Sequence, residues 1–150
     1  MTSQITSQMT IDNICYNIYL QDNGNLLLKP IIIKINELDK LKDYDFCNSN
    51  IIFCKINNVM IDKNRYKSIL NDVYNIIDSG TKIIKNTILN IKTKEYNDKG
   101  FSYLENLGIS VQGVDANKCI YEIINQCEKN NITIDIKIRL NDNKLININV

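Results

Sequence analysis

The chain has no histidine and no tryptophan, a single proline (Pro30) and a single alanine (Ala116). Without imidazole, Ser-His-Asp and Cys-His nucleophile pairs, paired-histidine zinc helices and two-Cys-two-His fingers are excluded. Acid–base chemistry near neutral pH would fall to carboxylates, Lys, Tyr or Cys with displaced pKa values, so the sequence leans away from an enzyme. Arginine is nearly missing as well: only Arg65 and Arg139 stand among the 18 basic residues. No run approaches the roughly 18 apolar residues that span a bilayer, and MTSQITSQMT lacks the apolar core of a secretory signal. The five cysteines (Cys15, Cys47, Cys54, Cys119, Cys127) are odd in number and never fall at the short Cys-x₂₋₄-Cys spacing of structural zinc. Together these absences predict a reducing, cytoplasmic setting, with no membrane insertion, no bound metal and no cofactor.

Isoleucine and asparagine dominate what is present, with 29 and 24 of the 150 positions. Both have A/T-rich codons, which makes genomic drift the first explanation of the bias. In composition the whole chain resembles proteins of A/T-rich large DNA viruses of amoebae, or of A/T-rich protists. That likeness implies a source, and host cytoplasm if viral, but no activity. The Asn residues are interleaved with Ile, so the chain can bury a core. Net charge is +1 and evenly spread: 5 basic and 6 acidic groups in 1–60, 8 and 6 in 61–110, 5 and 5 in 111–150.

Residues 1–10 read as a flexible tail and 11–150 as one domain. Ile14, Tyr16, Ile18 and Leu20 alternate on one strand face, Asp22-Asn23-Gly24-Asn25 turns the chain, and a return strand runs from about Leu26 to Ile35. Pro30 places that return strand at an edge or a bulge. Residues 37–50 read as a loop or short helical turn, and 51–61 as a hairpin across Asn57-Asn58. A helix over about 62–79 would be capped by Asp62 and closed by Gly80. Strand chemistry returns at Ile83–Thr93 and Phe101–Val111, with Gly108 interrupting the second. Asp115 caps a second amphipathic helix over about 115–129. Ile132, Ile134, Ile136, Ile138 and Leu140 then alternate with polar residues before a turn and a final strand. The expected fold is α+β: a largely antiparallel sheet of about seven to nine strands built from hairpins, with the two helices on it. The half from 81 to 150 reads ββαββ.

Few motifs carry chemistry. Cys119 and Cys127 share a helix face with Ile120, Ile123 and Ile124 and read as small hydrophobes. Asp135-Ile136-Lys137 matches the D-x-K element of some metal-dependent nucleases, although Thr133 and Arg139 share that strand face. Gly108 to Gly113 outlines a phosphate loop whose Lys and Ser/Thr are replaced by Val114 and Asp115. The most basic stretch holds Lys82, Lys85, Lys92, Lys94 and Lys99 with Tyr96 and Phe101, either a nucleic-acid contact or a lysine-protected edge. The residues favour a non-enzymatic protein-binding or self-associating module, a homo-oligomer presenting strand edges. The alternative is a nucleic-acid-associated protein with weak metal-dependent nuclease chemistry at Asp135 and Lys137.

Overall fold

The computed structural model describes residues 5–12, 14–77, 84–85, 87–113 and 115–150. Its centre is the last hairpin. Ile134, Ile136 and Ile138 of β10 (Ile134–Arg139) and Ile146 and Ile148 of β11 (Leu145–Asn149) are all buried. Withdrawing each such side chain from water contributes about 1.5–3 kcal/mol before entropy is counted. The strands pair Ile136 with Ile148 and Ile138 with Ile146, across a turn in which Asn143 takes φ 67°. β5 (Asn50–Ile56) pairs antiparallel with the other side of β10, and Ile52 is the extra residue where the register shifts between Lys137 and Ile138. β6 (Val59–Met60) closes a hairpin on β5 through Asn57 and Asn58, both at positive φ (50° and 64°), as a tight two-residue loop requires.

β4 (Ile32–Ile35) completes this five-stranded sheet, in the order β4-β11-β10-β5-β6, and lies parallel to β11. The single return strand expected over Leu26–Ile35 is therefore two strands. β3 (Leu26–Pro30) pairs with β2 (Ile14–Leu20), after which the chain changes sheets beyond Pro30, which has no N–H to offer a ladder. β1 (Ile5–Ile11), where the sequence reads as a loose tail, pairs antiparallel with β2 and gives a second sheet ordered β1-β2-β3.

Two helices cover the inner face of the central sheet. α1 (Tyr66–Ile77) starts four residues later than its sequence signal. Ile61 N–H still donates to Cys54 O (2.8 Å), extending the hairpin, and Arg65 O accepts the first helical bond from Ile69. Asp62 therefore does not cap the helix, and Gly80 lies outside the described residues. α2 (Ala116–Lys129) begins where expected, because the Asp115 carboxylate accepts Lys118 N–H at 2.9 Å.

A third sheet, of β7 (Ile91–Lys92), β9 (Ile109–Gln112) and β8 (Phe101–Leu104) in that order, meets both helices. Leu70 of α1, Cys119 of α2 and the sheet residues Leu104 and Val111 line one cavity of about 40 Å³ there. The expected strand 101–111 is a hairpin: β8 (Phe101–Leu104) and β9 (Ile109–Gln112) are separated by a turn in which Gly108 has φ 65°. Of the expected strand 83–93, only β7 (Ile91–Lys92) forms among the described residues, and it pairs with β9. The architecture is thus α+β and mostly antiparallel, but among the described residues it has eleven strands in three sheets, one of them mixed, instead of one sheet of about seven to nine strands. Both helices are too short to cross a membrane, and no helix among the described residues is long and apolar enough to do so.

Candidate functional site

In a three-stranded antiparallel sheet, directly paired residues put their side chains on the same face. In the β1–β2–β3 sheet the register aligns Met9 with Tyr16 and Pro30, Ser7 with Ile18 and Leu28, Ile11 with Ile14, and Leu20 with Leu26. One face is consequently apolar throughout except for Ser7, and it carries no charged side chain. The opposite face holds Gln8, Thr10, Cys15, Asn17, Tyr19, Leu27 and Lys29. It is tied by Gln8 Nε2 to Asn17 Oδ1 (3.2 Å) and by Lys29 Nζ above the Tyr19 ring (5.2 Å). This polar face is also the one that reaches the rest of the protein, through Cys15 Sγ to Asp142 O at 3.9 Å.

Among the described residues, the apolar face remains largely exposed. None of the described side chains of β1, β2 or β3 is buried, and none joins the hydrophobic core, whose first member is Ile35. Met9 is 40% exposed, Leu20 51%, Leu26 63% and Leu28 39%. Monomeric proteins seldom leave an apolar patch of this extent in water, and a small sheet needs its apolar face packed to be stable.

The residues singled out from sequence lie elsewhere and do not converge. Lys82 is outside the described residues, and Lys85, Lys94 and Lys99 are exposed. Lys92 sits over Tyr96 (4.4 Å) and Phe101 (5.3 Å), which meet edge to face at 5.2 Å. The lysine already covers the ring faces on which a base would stack. Asp135 and Lys137 share the outer face of β10 as expected, but Lys137 Nζ lies over the Phe53 ring (5.6 Å). Asp135 borders a polar recess of about 140 Å³ with Lys55, Asn58, Thr133 and Asn149, and its Oδ1 is buried without a hydrogen-bond partner. No cluster of three or more Cys, Asp or Glu side chains suited to a metal occurs among the described residues.

Cys54, Cys119 and Cys127 are core residues. Burial pushes the Cys54 and Cys127 thiols up to about 12 and raises that of Cys119. At neutral pH such thiols stay protonated and inert. Cys47 is raised by its hydrogen bond to Asp45, whose own carboxyl is lowered by the Cys47 backbone N–H and the Asn117 amide.

The least expected polar group is Glu122 of α2, fully buried together with Asn125 and Gln126. Its carboxylate accepts from Tyr74 OH (2.6 Å), the Thr87 hydroxyl, Asn125 Nδ2 (3.0 Å) and Gln126 Nε2 (3.3 Å). Four donors converge on its two oxygens. Gln126 Nε2 also donates to Lys85 O (3.0 Å), so the network fastens Lys85 and Thr87 to the helices. Burial and the adjacent Glu122 charge push the Tyr74 hydroxyl far above its ordinary range.

No protein family, curated protein or solved structure matches this chain.

Proposed function

We propose that this chain is a non-enzymatic binding module that works through the uncovered apolar face of the β1–β2–β3 sheet. The observation that carries the reading is a sheet with one wholly uncharged face, none of whose members enters the core. A partner laid on that face would withdraw aliphatic surface from water and supply the packing the small sheet otherwise lacks. The lysine stretch supports nucleic-acid contact less well, because its central aromatic pair is occupied by Lys92.

Two methionines provide the test. Met9 lies on the proposed face at 40% exposure, while Met60 sits on β6 at 57% and serves as an internal reference. Peroxide converts an accessible methionine to its sulfoxide. Oxidation of Met9 relative to Met60 is expected to fall several-fold in an extract of the protein's own cells, compared with the dilute purified chain. An unchanged ratio, with the purified chain monomeric at that dilution, would overturn the reading.

A further inference from the structure

Resting on that reading, we infer that the occupant of the apolar face is a second copy of this chain, related by a two-fold axis, so that two β1–β2–β3 sheets form a six-stranded sandwich. Area is the first argument. The exposed fractions of Met9, Ile11, Leu20, Leu26 and Leu28, with the half-buried Ile14, Tyr16 and Ile18, leave roughly 600 Å² of accessible surface per copy. Two facing copies could bury at most about 1,200 Å², which lies at the lower bound of stable specific interfaces.

Charge is the second. A two-fold axis sets every residue against the same patch of its partner, so any net charge on the face would oppose itself. This face has none: its paired positions run Ser7-Ile18-Leu28, Met9-Tyr16-Pro30, Ile11-Ile14 and Leu20-Leu26. The charged residue of these strands, Lys29, lies on the other face, over Tyr19.

Shape is the third. Sheets stack about 10 Å apart with strands near −30° when aliphatic side chains interdigitate, and a twisted three-stranded face is complementary to its own copy in that arrangement. Tyr16 and Ile18 on the middle strand would form the centre of the contact, with Leu26 and Met9 towards its rim. Tyrosine at the centre of an interface brings a large rigid contact area with a hydroxyl that can reach its rim.

Sedimentation of the purified chain under reducing conditions, over a wide concentration range and with Met9 oxidation followed in parallel, tests this. The expected result is a monomer–dimer equilibrium in which Met9, but not Met60, becomes shielded as the dimer forms. Leu28→Lys should raise the dimer dissociation constant at least 100-fold, because it places two cations inside the contact. Leu26→Lys, at the most exposed position of the face and towards the rim, should weaken the dimer less, about tenfold, without disturbing the monomer's fold. Lys29→Glu on the opposite face should leave the equilibrium unchanged. A purified chain that stays monomeric with Met9 open, while Met9 is shielded in extract, would overturn the second copy and leave the binding face standing. Met9 open in both would remove both inferences, and a dimer indifferent to Leu26→Lys and Leu28→Lys would overturn this geometry.

Discussion

Replacing Tyr74 by Phe removes one oxygen from a fully buried site. The hydroxyl donates to Glu122 Oε2 at 2.6 Å, and both residues are fully buried. Hydrogen bonds to charged groups contribute about 1.5–3 kcal/mol net, and the void left by a hydroxyl is too small to hold a solvent molecule. Oε2 would keep only the Thr87 hydroxyl, which also accepts Leu89 N–H at 3.0 Å. We expect Tyr74→Phe to cost about 2 kcal/mol, or about 6 °C in melting temperature for a chain of this length. Urea unfolding followed by far-ultraviolet circular dichroism is the assay, since the chain has no tryptophan to report by fluorescence. If Tyr74 acts through Glu122, its loss must shrink in a Glu122→Gln background. A Tyr74→Phe protein within about 0.5 kcal/mol of wild type, or losses that simply add, would refute the reasoning.

Asp115→Ala removes the acceptor for Lys118 N–H and should cost about 1 kcal/mol in urea unfolding, with Asp115→Asn costing less. Stability should also fall at alkaline pH. Cys54 and Cys127 are held near 12 when folded but titrate near 9 in the unfolded chain. The unfolded state therefore loses those protons first, and the stability present below pH 9 is lost as pH rises towards 12. The unfolding constant should rise about tenfold per pH unit per thiol, whereas Cys54→Ala and Cys127→Ala should each flatten the slope.

Period and turn chemistry made much of the local structure legible. Ile134 to Leu140 alternates cleanly because one side of β10 faces the helices and the other faces outward. Asn57-Asn58 marks its hairpin because asparagine tolerates the positive φ that both positions adopt, and Asp115 is read as a cap because it is one. Sheet membership was not legible. Alternation states which side chains share a face but names no neighbouring strand. Residues 26–35 thus read as one strand, although the chain crosses from one sheet to another after Pro30 and β4 joins β11 in parallel. Residues 5–10 read as part of a tail because TSQ repeats hide the Ser7, Met9, Ile11 alternation that β2 completes.

The candidate surface divides the same way. Ile14, Tyr16, Ile18 and Leu20 lie on one face by spacing alone, and no property of those residues tells a face that packs from one that stays open. Glu122 shows the converse, since a glutamate in a helix normally points to water. It is buried because Tyr74 and Thr87 arrive from residues 48 and 35 positions away and supply donors. Local order in this protein follows from its sequence, through φ preferences and hydrophobic period. Which surfaces are covered depends on the distant segments that meet them, and only the tertiary structure decides that.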